Sequence, residues 1–335
     1  MKMFSRRDFL RLTGYGLTAM AVQQILSSCR ANPDAPVIQT LPTEALIPNE
    51  ASLIENTQQP ESTAPQDYPY MVVARGEQPE EMVRQGMKAL GGMQRFMKPG
   101  ANVIIKPNIC VGYHTHEYAA TTNPWVVAGL VKMCIEAGAG SVRVMDYPFG
   151  GPAEQAYRVS EIGDQVMAAG GSMEVMQGLK YVEKTIENAV SLNKVTVYQD
   201  VLDADLLINV PVAKHHSMAK LTLGLKNLMG TIRNRAQIHP SFENNLVDLA
   251  MLVKPQLTVI DGMRTLMANG PTGGNLDDVM IQNTLIFSPD IVAADSYATR
   301  LFNMTPADVP YILSAENRGL GKADLSGLKI EEINV

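Results

Sequence analysis

Val103-Ile104-Ile105-Lys106-Pro107-Asn108, then Asn123-Pro124-Trp125 through Ala137-Gly138, then Val142-Arg143-Val144-Met145-Asp146, is the stretch that decides the fold. The apolar run at 103–105 follows the turn Lys98-Pro99-Gly100 and reads as a buried strand. Asn123-Pro124 opens a helix, because proline at the first position loses only an N–H that has no helical partner. Gly138 closes that helix where a left-handed residue is wanted, and Val142–Asp146 is the next strand. Continuous apolar strands joined by a helix imply parallel pairing in a sheet covered on both faces.

The same alternation extends in both directions. Tyr70–Ala74 reads as a strand and Pro79–Leu90 as a helix. Helices are expected between Pro152 and Ala169, with β-prone pieces at Tyr181–Ile186 and Val195–Tyr198. Leu206–Val210 is another buried strand, followed by helices over Lys220–Met229 and Ser241–Leu252 and a strand over Leu257–Asp261. A strand at Thr284–Phe287 and helices at Asp290–Leu301 and Ala307–Glu316 complete the pattern. Residues 70–335 therefore read as an α/β, Rossmann-like fold with a largely parallel sheet, as one domain or two joined halves.

The chain upstream has a different character. Ser5-Arg6-Arg7-Asp8-Phe9-Leu10-Arg11, a mildly apolar run and Leu26-Ser27-Ser28-Cys29 resemble a twin-arginine export signal ending in a lipobox. The resemblance implies a signal over 1–28, handling by the twin-arginine export machinery, lipid at Cys29, and an exported, extracytoplasmic protein anchored to the membrane by that lipid. Residues 29–69, rich in Pro, Gln, Thr and Glu without a sustained apolar period, read as a disordered tether. The whole chain has 28 basic and 34 acidic residues; residues 1–28 hold four and one of these, leaving 24 against 33, or −9. That balance argues against a nucleic-acid partner. With Cys29 set aside, Cys110 and Cys134 are too few to ligate an iron–sulfur cluster within this chain and read as free, buried thiols.

In open parallel sheets ligands bind beyond the carboxyl ends of the strands. Four segments place chemistry there: Lys106-Pro107-Asn108, Lys214-His215-His216, Leu225-Lys226-Asn227 with Gly230, and Asp261-Gly262 followed by Gly270-Pro271 and Gly273. In this order they resemble the domain of unknown function 362 family, as does the later Ala293-Ala294-Asp295. The likeness covers about residues 70–320. It implies that His216, not His215, belongs to the site. Some members of that family carry fused cysteine-rich ferredoxin modules, which this sequence lacks.

Lysines at strand ends are costly to bury alone, so Lys106, Lys214 and Lys226 are expected either to converge on a cationic pocket for a small anionic ligand or to pair with Asp146, Asp261 or Asp295. Asn108, Lys226, Asn227 and Asp261 would orient the ligand, and Gly270 and Gly273 would let backbone approach it. Lys106 and Lys214 are the candidate anion holders of an enzyme, with His216 as its acid–base group. His114, His116 and His216 form a candidate divalent-metal set on loops. Arg233-Asn234-Arg235 reads as a solvated surface pair. The alternative is a lipoprotein that binds the ligand and leaves it unchanged.

Overall fold

The computed structural model describes residues 67–335, so the export motif, Cys29 and nearly all of the tether lie outside the described residues. The described residues form one compact unit. Among the described residues twelve strands and nine helices follow in chain order: β1 Met71–Arg75, α1 Pro79–Ala89, β2 Asn102–Pro107, α2 Pro124–Glu136, β3 Ser141–Val144, α3 Ala153–Val159, α4 Ile162–Ala168 and β4 Ser172–Met173. Then come β5 Tyr181–Thr185, β6 Lys194–Tyr198, α5 Gln199–Leu202, β7 Leu206–Val210, β8 Val212–His216, β9 Lys220–Thr222 and α6 Gly224–Asn227. The remainder is α7 Phe242–Leu252, β10 Leu257–Leu266, β11 Val279–Ser288, α8 Ile291–Ala298, α9 Pro310–Asn317 and β12 Ile330–Asn334.

The main sheet runs β12-β1-β11-β10-β7-β2-β3-β4, with β8 beside the far end of β10 and β9 beside β8. Pairing is parallel from β10 through β4 and between β1 and β12, while β11 is antiparallel to both its neighbours. The structure is therefore a mostly parallel α/β sheet with helices on both faces, as the strand–helix alternation implies. Side chains on a strand alternate between faces. Val103, Ile105, Leu206 and Ile208 accordingly pack under α1–α4, and Ile104, Leu207, Ile260 and Ile286 under α6–α9 and the β5–β6 hairpin.

Local chemistry explains the helix starts. Asn123 Oδ1 accepts from Trp125 N at 3.0 Å ahead of Pro124, and Asp290 Oδ1 accepts from Val292 N and Ala293 N at 2.8 and 3.0 Å. Among the described residues no helix is long and apolar enough to cross a membrane.

Several elements differ from the sequence reading, β4 and α5 being too short to be recognised in it. The expected helix over Lys220–Met229 is a strand, β9, then the single turn α6 and a 3₁₀ turn at Leu228–Thr231. Lys220 takes a left-handed φ of 64° at the tight return from β8, which excludes a helix start there. The segment read as a loop at 212–216 is β8, because β10 does not stop at Asp261 but continues to Leu266 and offers it an edge. Strand β12, with two apolar residues in five and a half-exposed edge position, gives too weak an alternation to be recognised.

The close approach of α1 to the sheet sets one test of this packing. A Cβ added at Gly86 would lie 2.7 Å from Phe287 Cζ. Gly86→Val is expected to destabilise the fold by about 1–3 kcal/mol through overpacking, read as a lower urea midpoint with an unchanged m-value.

Candidate functional site

The carboxyl ends of β2, β3 and β7 meet α6 and β8 at one edge of the sheet, and a buried ion pair lies at the centre. Lys106, 1% exposed, donates to Asp146 Oδ1 at 2.7 Å, to the Pro107 carbonyl at 2.9 Å and to Asn227 Oδ1 at 3.1 Å. All three ammonium hydrogens are thereby used. The other Asp146 oxygen accepts from Ile109 N at 2.7 Å. Burial pushes the Lys106 pKa down, and the Asp146 charge opposes that shift. Any side chain at Gly230 would collide with Asp146 Oδ1 and approach Lys106 Nζ to 2.6 Å, so only glycine fits over the pair.

Asn227 connects this pair to its surroundings. Its Oδ1 also accepts from Asn108 Nδ2 at 3.0 Å, and its Nδ2 donates to Asn209 Oδ1 at 2.8 Å. Asn108 Oδ1 in turn accepts from Lys214 Nζ at 2.7 Å, and Lys214 donates to the Ala120 carbonyl at 2.6 Å. Asp295 pins the start of α6 by accepting from Gly224 N and Leu225 N at 2.6 and 2.9 Å. Burial raises its pKa to about 8, against the opposing pull of those two amides.

Beside this network opens a cleft of about 420 Å³. Its polar wall carries Asn108, Lys214, His216, Lys226 and Arg235, and Tyr147, Phe149, Met218 and Met229 supply apolar surface. Lys226 makes no hydrogen bond or ion pair among the described residues and sits 5.8 Å from the centre of the Phe242 ring. Burial, then repulsion from Lys214, lowers its pKa to about 7; Arg235 adds to the shift and the Cys110 thiol opposes it. Lys214 is likewise pushed down, chiefly by burial. Arg235 donates through Nε to the Met229 carbonyl at 3.1 Å, through Nη2 to the Tyr147 carbonyl, and lies 5.2 Å from the Tyr147 ring centre.

His216 has a defined role in this wall. Its Nδ1 accepts from Met218 N and Ala219 N at 3.1 and 3.2 Å, which assigns the proton to Nε2. Burial first, then the charges of Lys226 and Lys214, lowers its pKa to about 3. At neutral pH it is an uncharged N–H donor. The expected acid–base role is corrected accordingly: a proton added at Nδ1 would face two backbone N–H groups. Metal binding through Nε2 meets the same obstacle, because it requires the proton on Nδ1.

The other candidates divide. Asp261 accepts from Asn123 N and Met263 N at 2.7 and 3.0 Å, away from the cleft, in a small enclosed space shared with His116 and Arg264. Burial raises its pKa to about 6. Gly270 donates its N–H to His215 Nδ1 at 3.1 Å, and a side chain there would strike the His215 carbonyl. Gly273 takes a φ of 64° against Leu266, so both glycines shape a loop of which Pro271 reaches the cleft. His114 stacks on Tyr118 at 4.4 Å, while buried His116 has Nδ1 3.3 Å from Glu161 Oε2 and its ring edge-on to Trp125. The candidate metal set is thus corrected: among the described residues no group of three or more His, Cys, Asp or Glu is placed to hold a metal ion. Cys110 and Cys134 are free and buried, and burial pushes the Cys134 thiol up to about 12.

Arg235 was missed as a cleft residue, since two short turns, rather than a periodic element, bring it there. Asp146 appears in the sequence only as one of three carboxylates available to the lysines. The structure pairs it with Lys106.

Removing one partner of a buried pair leaves an uncompensated charge, whereas removing both does not. Asp146→Ala is expected to cost about 3–5 kcal/mol, and Lys106→Met combined with Asp146→Ala should recover most of that loss in urea unfolding.

The family model described as a domain of unknown function, DUF362, matches residues 103–300. A thylakoid-associated protein of Synechocystis sp. is 30% identical over 247 residues, covering 71% of this chain and 74% of that protein. The lactate racemase apoprotein of Thermoanaerobacterium thermosaccharolyticum is similar at 11% identity and a TM-score of 0.42, over 68% of this chain and 56% of that one. A Thermotoga maritima protein is similar at 11% identity and a TM-score of 0.37, over 72% and 60%. The chain thus spans less than two thirds of either solved structure. With more than half of its length matched by the family model, and with the ordered Lys-Pro-Asn, Lys-x-His and Leu-Lys-Asn segments gathered at one sheet edge, the chain belongs to the DUF362 family.

Proposed function

We propose that this protein works outside the cytoplasm, tethered to a membrane by lipid at Cys29, and holds a small organic anion in the cleft beside α6. One observation carries the ligand reading: Lys214, Lys226 and Arg235 line a single cleft, and the one carboxylate that lines it among the described residues, Asp146, is already paired with Lys106. An anion entering there meets uncompensated positive charge in a partly desolvated space, where such charges attract strongly. His216 Nε2–H adds a fixed donor. The volume suits a molecule of a few to a dozen heavy atoms, carboxylate or phosphate. The apolar wall of Tyr147, Phe149, Met218 and Met229 favours an organic body over a bare inorganic ion.

The location rests on Arg6-Arg7 and Leu26-Ser27-Ser28-Cys29. A relative known as thylakoid-associated accords with a membrane-side place of work. Replacing Arg6 and Arg7 with Lys is expected to leave the precursor in the cytoplasm on cell fractionation; normal export of that variant would refute the twin-arginine route.

The pH dependence of binding tests the ligand reading. Lys226 shares the cleft with Lys214 and His216 from β8, with Arg235 and His239 from the segment before α7, and with Cys110, and the Lys106–Asp146 pair lies beside it. An anion prefers the charged lysine. Affinity should therefore be full at acid pH and fall as pH rises through about 7, where free Lys226 loses its proton. Titration calorimetry with propionate, a carboxylate that carries no ketone carbonyl, is expected to show this fall. Lys226→Gln should weaken acid-pH binding about tenfold, about 1.4 kcal/mol, and Lys226→Arg should flatten the profile.

A further inference from the structure

Resting on the anion-binding reading above, we propose that Lys226 forms a covalent imine with the carbonyl carbon of a small 2-oxo carboxylic acid held in the cleft. The argument begins with what Lys226 lacks. Lys106 has three acceptors, the Asp146 carboxylate among them, and Lys214 has two, but Lys226 Nζ has none among the described residues although it lines the same cleft. A lysine placed only to hold an anion gains from acceptors that fix its hydrogens. One left unbonded among other cations is set up to shed its proton and present a lone pair. The lowered pKa of about 7 agrees with that placement.

The surroundings define the electrophile. Lys214 and Arg235 line the cleft with Lys226, and the Lys214 hydrogen not given to Asn108 or Ala120 and the Arg235 Nη1 hydrogens are left for a carboxylate. His216, with Nε2–H fixed by two bonds at Nδ1, donates to a neutral oxygen such as a carbonyl without competing as a base. A carboxylate next to a carbonyl meets both requirements, whereas a phosphate or a simple carboxylate leaves the Lys226 amine without a partner.

The step balances without a further reactant. The Nζ lone pair forms a C–N bond to the carbonyl carbon, and the carbonyl π pair moves to oxygen, which His216 Nε2–H hydrogen-bonds. The carbinolamine then loses water: the C–O bond breaks, the amine's two hydrogens leave with that oxygen, and a neutral C=N bond remains. No electron is gained or lost by the pair as a whole.

Borohydride, which reduces an imine to a stable secondary amine, reads this directly. Full-length protein is incubated with pyruvate, its melting temperature is measured, and the same sample is treated with sodium borohydride and analysed by mass spectrometry. One carboxyethyl group mapped to Lys226 is expected, in a yield that rises as pH passes about 7 and more amine is free. Lys226→Arg should abolish it, while Lys254→Arg, at an exposed lysine outside the cleft, should leave it unchanged. If Lys226→Arg does not fold, the peptide map of the unaltered protein decides. A pyruvate-dependent rise in melting temperature with no adduct at Lys226, or adducts spread over surface lysines, overturns the imine and leaves anion binding standing. Neither a thermal shift nor an adduct overturns both.

Discussion

The site depends on how one buried ammonium is neutralised. Lys106 projects from a central strand into space that excludes water, where an unpaired charge could not be kept. Asp146 must therefore come within hydrogen-bond distance, and it does so because β3 lies next to β2 in the sheet and ends level with it. The pair then dictates what may pass over it: a glycine at 230, and Asn227 to take the remaining hydrogen. α6 is only one turn long and would have little stability alone. It is held by Asp295 at its start and by Asn227 at its end. A short element fixed at both ends can hold Lys226 in the cleft wall without an acceptor.

Consuming the one carboxylate that lines the cleft among the described residues has an electrostatic result. Three further cations then share a small cleft, and lost hydration, then the charges of Lys214 and Arg235, lower the Lys226 pKa. Folding this arrangement is unfavourable in itself, so the surrounding two-sided hydrophobic core must supply the stability that the cleft does not. An anionic occupant would relieve part of that repulsion.

Much of the sheet was legible because its strands are continuous apolar runs between helices with clear caps: Val103–Ile105, Leu206–Val210 and Asn123-Pro124 each gave both element and position. The site was legible in part. Lys214 and Lys226 face the cleft, and Lys106 sits directly beneath it. Asp261 and the two loop glycines support neighbouring backbone instead, because β10 continues past the point where its sequence suggested an end. That continuation depends on β8 as a partner, a tertiary effect no local pattern contains. Arg235 reaches the cleft through turns with no periodicity, and the inertness of His216 depends on two backbone amides that sequence does not reveal.

Strand β8 makes the site sensitive to parity. His216 faces the cleft and His215 faces the Gly270 loop because successive residues on an extended chain point opposite ways. Gaining or losing one residue between Pro211 and Lys214 would exchange the two imidazoles and turn the Lys214 ammonium out of the wall. Drift along this segment is therefore confined to replacement in place, and length variation must be absorbed in loops beyond it.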